Sequence, residues 1–329
     1  MKALLTGATG FIGKALALAL AAAGWDVTLL ARRQSRDRLP PGPFDVIEAD
    51  LAEAAALAGA VGGLTVDVVV HAGAIRNRWG TPPEAYRAVN VTATQVLLDA
   101  LAGRAGRFVY VSSVGVFGRP GVLGIDEGFP LRVASTWDYH SSKAAGERAT
   151  LACKERIEAV VVRPTITYGP GDEDGMLTRL VQMVARRRFV RIGRGDNHVH
   201  LTYIDDLIDG LQLAMTHPQA PGGTFILAGP EPIRMRDLLG LVEAQTGVEL
   251  PGWYVPARLA RLAGAGCESL YRFLPGRWQP PITPDKVDNL CANRSFSSAR
   301  AVQRIDYRPR WGYAAGMAAT YAWILQTHL

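Results

Sequence analysis

Cysteine is scarce in this chain: Cys153, Cys267 and Cys291 are odd in number, far apart and in no metal-ligand spacing. That argues against a disulfide framework and a zinc site, so no metal is expected, and it points to a reducing compartment, the cytoplasm. No apolar run reaches the length of a membrane span. The small-residue run from Ala15 to Ala23 behind Lys2 imitates a signal peptide, yet three glycines precede it and Trp25-Asp26 closes it, so a buried helix is expected instead. Internal repeats and low-complexity linkers are missing. Blocks of like charge are nearly so: the net charge is +6, but the one basic run is Arg186, Arg187 and Arg188, too little for a nucleic-acid footprint. Lysine is rarest of the charged residues, with five (Lys2, Lys14, Lys143, Lys154 and Lys286) against 31 arginines, which makes the place of each lysine more informative.

What is present is a chain long and apolar enough to bury a full core. Short Val-, Leu- and Ala-rich runs alternate with longer helix-patterned stretches, the rhythm of a parallel sheet covered on both faces. The expected strands are Lys2 to Thr6, Asp26 to Leu30, Asp45 to Glu48, Asp67 to His71, Arg107 to Ser112, Ala159 to Arg163 and Thr224 to Ala228. The expected helices are Phe11 to Ala23, Pro83 to Leu101, Trp137 to Lys154, Leu177 to Arg187, Ile204 to Thr216 and Met235 to Thr246. The fold class is α/β, a doubly wound parallel sheet of the Rossmann kind with a smaller, mostly helical C-terminal cap. Residues 1–168, with 201–229 returning to them, are read as the dinucleotide-binding domain, and 169–200 with 230–329 as the substrate-binding cap. Gly- and Pro-rich stretches at Gly169 to Gly175, Pro218 to Gly223, Gly229 to Pro232 and Pro275 to Pro284 mark the crossings.

Between the first strand and the first helix lies Thr6-Gly7-Ala8-Thr9-Gly10-Phe11-Ile12-Gly13. Glycines at this spacing permit a tight turn and close approach of a pyrophosphate to free amides at the helix start, so a dinucleotide site is expected. An NAD site ends its second strand in Asp or Glu to accept from the ribose 2′-hydroxyl. Here the strand runs into Ala31-Arg32-Arg33, where paired guanidiniums suit a 2′-phosphate, so NADP(H) is favoured over NAD(H). The other reading of Arg32 and Arg33 is a solvated basic turn. Asp50 is placed either to meet the adenine amino group or to cap the helix that follows.

Tyr139-His140-Ser141-Ser142-Lys143 sets a phenol and an ammonium four residues apart on one helix face. A phenol of ordinary pKa about 10 is a poor base at neutral pH, and a nearby cation favours its phenolate. The spacing also arises by chance on many helices. A further strand ends in Ser112-Ser113, whose hydroxyls stand where a sheet of this class carries its chemistry, to hold a substrate carbonyl or to cap a turn.

Taken together, these residues resemble the extended short-chain dehydrogenases/reductases over essentially the whole chain. The glycine motif falls on Gly7, Gly10 and Gly13, and the Tyr-x-x-x-Lys motif on Tyr139 and Lys143. The family serine falls on Ser113 ahead of Phe117-Gly118, and the central-helix Asn, whose backbone holds a relay water, on Asn90. The resemblance implies that Tyr139 exchanges a proton with the substrate oxygen during hydride transfer, Ser113 holds that oxygen and Lys143 lowers the phenol's pKa. It implies cofactor contacts from Thr9, Phe11, Ile12, Leu51, Ala72, Gly73, Ala74, Val111, Pro164 and Ile166 besides the residues already named. Arg163-Pro164 and Tyr168-Gly169-Pro170-Gly171-Asp172 are similar to the segment that closes the nicotinamide pocket.

Nucleotide-sugar epimerases and dehydratases share this machinery but meet a diphosphate with polar residues where this chain has Ile166 and Val199. Gly193-Arg194-Gly195-Asp196-Asn197 and the tail at Tyr307-Arg308-Pro309 resemble the 3β-hydroxysteroid dehydrogenase-like branch, although Ser297-Ser298-Ala299-Arg300 departs from it. The expected activity is therefore NAD(P)(H)-dependent interconversion of a ketone and a secondary alcohol, on a small hydroxy or keto substrate of lipophilic character, in a mainly apolar pocket bounded by Ile166, Val199 and the cap. The alternatives are a nucleotide-sugar epimerase or dehydratase, its anion met by Arg186 to Arg188 or Arg194, and a non-catalytic dinucleotide-binding protein. A homodimer is expected, with no nucleic-acid partner. The arginine-studded segment 255–274 is read as an ordinary amphipathic helix on the cap in preference to a membrane contact.

Overall fold

The computed structural model describes residues 1–77, 79–119, 121–132, 138–273 and 278–327. Its centre is built by β1 (Lys2–Thr6), α1 (Phe11–Ala22), β2 (Asp26–Ala31), β3 (Asp45–Glu48), α2 (Ala54–Val61), β4 (Val66–His71), α3 (Pro83–Arg87), α4 (Ala93–Leu101), β5 (Ala105–Val111), α5 (Tyr139–Ala152) and β6 (Glu158–Pro164). The chain continues through β7 (Ile166–Tyr168), α6 (Met176–Ala185), β8 (His198–Val199), β9 (Leu201–Tyr203), α7 (Ile204–Thr216), β10 (Thr224–Leu227), β11 (Ile233–Arg234) and α8 (Met235–Thr246). It ends in α9 (Ala257–Tyr271), α10 (Pro284–Cys291), α11 (Ala299–Ile305) and α12 (Tyr313–Thr327).

Seven strands pair in parallel in the order β10-β6-β5-β4-β1-β2-β3. Val160, Val161 and Val162 are all buried, which is why these strands read as unbroken apolar runs: both sheet faces are covered. Leu16 and Leu20 of α1 and Leu207 and Leu211 of α7 fill one face, and Leu57 of α2 with Leu97 and Leu98 of α4 the other. The strand order reverses between β1 and β4, and the crevice at their carboxyl ends is where a sheet of this class binds its ligand. Two small sheets, β7 with β9 and β8 with β11, lie outside the main one.

The expected helix from Pro83 to Leu101 is observed as α3, a π-helical turn over Ala88–Thr92 and then α4. The wide turn accommodates Asn90, whose side chain is held by the backbone of Ile75. Residues 89 to 92 include the β-branched Val89, Val91 and Thr92, which weaken regular helix there. The expected start at Trp137 lies outside the described residues, as do Leu274 and the Pro275-Gly276 start of a crossing; α5 begins at Tyr139, capped by Asp138. The short α2, rich in alanine and without an apolar stripe, had no periodic signal to announce it.

Segment 255–274 does contain a helix, α9, but it is less embedded than an ordinary cap helix. Ala260 and Gly264 are its buried residues, while Leu259, Leu262, Leu270 and Phe273 are exposed. Among the described residues no helix is long and apolar enough to cross a membrane.

Candidate active site

The glycine turn is closed by sterics. Gly7 has φ +82°, and a Cβ there would stand 2.6 Å from the Gly73 amide nitrogen; one on Gly13 would stand 2.2 Å from the Gly7 carbonyl oxygen. Either contact displaces backbone. Leu51 packs on the Gly73 side, so the loops after β1, β3 and β4 meet at one floor. Gly10 begins α1 without a side-chain cap, which leaves first-turn amides free to receive an anion. Ala72 and Ala74 flank Gly73, and Phe11, Ile12 and Thr9 are partly exposed around the turn. Gly171, in the loop after β7, lies against the Phe11 ring, which brings the Gly169 to Asp172 segment over the start of α1. Asp172 is buried there, and burial pushes its carboxyl up to about 6.

Arg32 and Arg33 follow β2 and are both exposed; Arg32 reaches only the Ser35 hydroxyl, at 3.5 Å, whereas Arg36 is spent on Glu48 at 2.8 Å. Among the described residues neither Arg32 nor Arg33 is in an ion pair, and no carboxylate ends β2. Asp50 accepts from the Ala52 amide at 2.9 Å within the loop before α2; the N-cap of that helix is Glu53, so Asp50 does not cap it.

A buried chain of hydrogen bonds links this floor to the next helix, through residues that sequence reasoning missed. The Gly73 amide donates to Thr6 Oγ1 at 3.0 Å, and Thr6 lies 2.7 Å from His71 Nδ1. His71 Nε2 lies 3.0 Å from Thr94 Oγ1, which donates to the Asn90 carbonyl at 3.0 Å. A carbonyl only accepts, so Thr94 must accept from Nε2–H and Thr6 must donate to Nδ1, which assigns the neutral Nε2–H tautomer. Burial, with the charge of Lys143 second, holds His71 down to about 3, in keeping with that form. The Asn90 side chain then donates to Ser142 Oγ at 2.9 Å, and Ser142 Oγ donates to the Tyr139 carbonyl at 2.8 Å. The cofactor floor and the first turn of α5 are thus one network. Besides Asn90, its sequence signals were Thr6 beside the glycine motif and His71 at a strand end.

At the α5 N-terminus, Asp138 accepts from the Ser141 amide at 2.8 Å while Ser141 Oγ accepts from the Asp138 amide, a capping box that sets the helix start and with it Tyr139. Further along, Glu147 of α5 takes Arg163 of β6 in two hydrogen bonds of 3.0 and 2.7 Å, both side chains buried. Arg163 is therefore an anchor for α5, and the adjoining buried Pro164 ends β6. Ser113 caps a 3₁₀ turn by accepting from the Gly115 amide at 3.1 Å. Burial pushes the Tyr139 phenol above its ordinary value, and the nearby Ser113 hydroxyl and the positive charge of Arg76 act against the rise. Lys143 is buried with its ammonium 4.1 Å from the centre of the Tyr110 ring, and burial pushes it down to about 7. Arg76, whose charge opposes the rise at Tyr139, is a residue the sequence did not single out. Val111 ends β5 just before these groups.

Beside Ser113 opens a cavity of about 130 Å³ lined by Val114, Gly115, Gly118, Arg119, Arg132, His140, Thr165, Ile166, Asn289, Arg294 and Phe296. The expected apolar pocket needs correction. Ile166 is in the wall, but Val199 is buried in the core, where β8 pairs with β11, and is not among the lining residues. The wall carries three arginines from the loops after β5 and after α10. Arg186 to Arg188, at the end of α6, and Arg194, bonded to the Tyr254 hydroxyl at 3.1 Å, are not in it.

Residues 3–228 match the NAD dependent epimerase/dehydratase family. The chain is 32% identical over 327 residues to a 2-alkyl-3-oxoalkanoate reductase of Stenotrophomonas maltophilia, covering 96% of this chain and 97% of the relative. It is 29% identical over 333 residues to a 3-beta-hydroxysteroid dehydrogenase of Mycolicibacterium neoaurum, covering 96% and 89%. In fold it is similar to a UDP-glucuronic acid 4-epimerase from Bacillus cereus, with a TM-score of 0.78 and 23% identity over the full length of both chains. A match through the glycine cradle, the Tyr139–Lys143 helix and the seven-stranded sheet places the chain: it belongs to the NAD dependent epimerase/dehydratase family, the extended short-chain dehydrogenases/reductases, in their 3β-hydroxysteroid dehydrogenase-like branch.

Proposed function

We propose that the protein is an NADP(H)-dependent oxidoreductase that interconverts a ketone and a secondary alcohol, with Ser113, Tyr139 and Lys143 as its catalytic residues and Asn90 as their positioning residue. The observation that carries this reading is that Ser113, just beyond the carboxyl end of β5, lines the cavity, while the Tyr139 phenol at the start of α5 is near enough for that hydroxyl to act on its titration. Ser113 holds the substrate oxygen there, and Tyr139 passes its proton to that oxygen on reduction and takes it back on oxidation. A phenol held above its ordinary value keeps its proton at neutral pH, which suits the donor role. Asn90 fixes Ser142, and through it the first turn of α5, so that the phenol does not drift from Ser113. The nicotinamide, when bound, supplies the hydride.

The residues that fit this cofactor are the cradle of Gly7, Gly10 and Gly13 and the cations Arg32 and Arg33. Residues 1–168 with 201–229 serve as the dinucleotide-binding domain, and 169–200 with 230–329 as the cap. The reductase and dehydrogenase named above support redox chemistry at a carbonyl or hydroxyl carbon.

The test is a turnover screen of keto and hydroxy compounds beside UDP-sugars, followed by loss or gain of reduced-nicotinamide absorbance. Turnover of a simple ketone with NADPH is expected. Redox-neutral conversion of a UDP-sugar, with no ketone reduced, would reject the reading.

For the cofactor, Arg32→Asp is expected to move the ratio of NADPH to NADH affinity by at least tenfold, ~1.4 kcal/mol, toward NADH. The new carboxylate repels a 2′-phosphate and accepts from a 2′-hydroxyl, so it works on both sides of the choice. Titration of both cofactors, by quenching of tryptophan fluorescence, measures it. An unchanged ratio counts against Arg32.

A further inference from the structure

Helix α9 turns its apolar stripe to solvent. Leu259, Leu262, Leu270 and Phe273 recur at intervals of three, eight and three residues, one line along the helix and the turn that follows it, and their exposures run from 58% to 88%. The side packed on the protein is made of small residues instead. Ala260 and Gly264 are buried, and a Cβ on Gly264 would stand 2.8 Å from the Thr283 carbonyl carbon at the start of α10. So close an approach of two backbones fixes the rotation of α9, and the leucines cannot reach the core by a roll of the helix. Trp253 and Tyr254, just before α9, extend the exposed apolar surface.

Charge of one sign surrounds this stripe. Residues 249–273 carry Arg258, Arg261 and Arg272 against Glu249 and Glu268, and residues 186–194 carry five arginines and no acid. The two segments are joined: the Val255 amide donates to the Arg191 carbonyl at 2.8 Å, the Gly193 amide to the Val255 carbonyl at 2.9 Å, and Arg194 Nε to the Tyr254 hydroxyl at 3.1 Å. Arg261 is answered by Asp288 of α10 and Arg272 by Glu268. Arg187, Arg188, Arg194 and Arg258 are exposed and in no ion pair among the described residues.

We infer that this edge of the cap is a docking surface for the anionic face of a phospholipid bilayer, with the α9 stripe lowered among the acyl chains and the arginines set on the headgroups. Apolar side chains projecting from a convex helix suit a medium that yields around them, whereas a protein partner must supply a groove of matching shape. Trp253 and Tyr254, beside Arg194, are of the residue types that prefer the boundary between hydrocarbon and water. A second copy of the chain is a poor occupant, because a two-fold contact sets the patch against itself and brings unpaired arginines face to face. The contact is peripheral, since among the described residues no helix is long and apolar enough to cross a membrane. Because α9 rests on α10, whose Asn289 lines the reaction cavity, a docked molecule holds that cavity one helix away from lipid. Docking of this kind is independent of the reaction catalysed, and binding alone tests it.

The test is flotation of the whole chain with vesicles of phosphatidylcholine alone and of equimolar phosphatidylcholine and phosphatidylglycerol, at low and high salt. The wild type is expected to bind the anionic vesicles at least ~10-fold more tightly than the neutral ones, a preference that falls as salt rises. Arg188→Gln and Arg258→Gln are each expected to weaken binding to anionic vesicles by about fivefold and to change binding to neutral ones little. Leu262→Ser combined with Phe273→Ser is expected to weaken binding to anionic vesicles by at least ~10-fold, with the melting temperature unchanged because both side chains are exposed. The lipid and salt dependence of the wild type needs no variant. No flotation with anionic vesicles, or equal binding to both compositions, would overturn the docking surface. Binding that survives the double serine variant would overturn it too, by moving the contact to another face. Self-association of the wild type in the ultracentrifuge, abolished by the same variant, would give the stripe to a second copy; tighter binding of polyglutamate than of anionic vesicles would give it to an acidic protein. Either result overturns the assignment to lipid.

Discussion

Tyr139→Phe is expected to lower kcat by about a thousandfold, within the range of 10²–10⁴ found for loss of a positioned acid or base. The phenol is the group that can give a proton to an oxygen held by Ser113. Phenylalanine keeps the ring and its T-shaped packing on His140 but has nothing to exchange. Cofactor affinity is expected to stay within about twofold, because the glycine floor is built by β1, α1 and the loop after β4 and does not depend on the phenol. The melting temperature is also expected to hold. The α5 cap is made by Asp138 and Ser141, and the helix is anchored by Glu147 to Arg163, so the hydroxyl of Tyr139 supports neither. Kinetics, cofactor titration and thermal melting on one preparation separate the outcomes. More than a tenth of wild-type turnover removes Tyr139 from the proton-transfer role, and loss of cofactor affinity in step with activity makes it a structural residue instead.

How much of this site the sequence disclosed follows from which constraints are local. The glycine turn was legible because its requirement is local: a positive φ at Gly7 and a missing Cβ at Gly13 must be written at fixed spacing between a strand and a helix. α4 before β5 and α7 before β10 are strongly amphipathic, and the apolar runs of the central strands read directly as a sheet covered on both faces. Tyr139 and Lys143 were legible as a spacing on one helix. The π-helical turn at Asn90 was not, since the reason for it lies in Ile75 and Ser142, 15 and 52 residues away. The same holds for the cavity wall. Arg119, Arg132 and Arg294 are among 31 arginines, and only folding shows which of them face one space and which have a carboxylate to answer them. Val199 looked like a pocket residue because it stands where the epimerase branch carries a polar one, a position counted back from Asp206. In the fold Asp206 is turned to the tail, accepting from the amides of Arg310 and Trp311, and Val199 is turned to the core.

Lys143→Met is expected to lose activity by about a hundredfold or more while gaining stability, and the gain is expected to depend on pH. Lys143 is buried, and its ammonium is supported by the Tyr110 ring and, through space, by the charge of Glu147. Burial still outweighs these, so the folded protein gives up this proton near pH 7, whereas the unfolded chain keeps it to the ordinary lysine value of 10.5. Between those two values the unfolded state binds more protons, and the stability of the wild type therefore rises with pH. Below about pH 7 both states are charged and the full cost of burying the ammonium is present. Methionine, of similar length and without charge, removes that cost. The melting temperature of Lys143→Met is thus expected to exceed that of the wild type by several degrees near ~pH 6, with the difference shrinking steadily toward ~pH 10. Taking the difference between the two proteins cancels the other titrating groups they share. A pH-independent difference would show that Lys143 is not a buried, destabilised cation. Lys143→Arg discriminates the catalytic side of the argument: its larger, permanently charged head cannot occupy the space over Tyr110, so activity is expected to fall as in Lys143→Met, now with lower stability at every pH. Wild-type turnover in Lys143→Arg would mean that any positive charge suffices near the phenol, and the compact ammonium would lose its special place in the site.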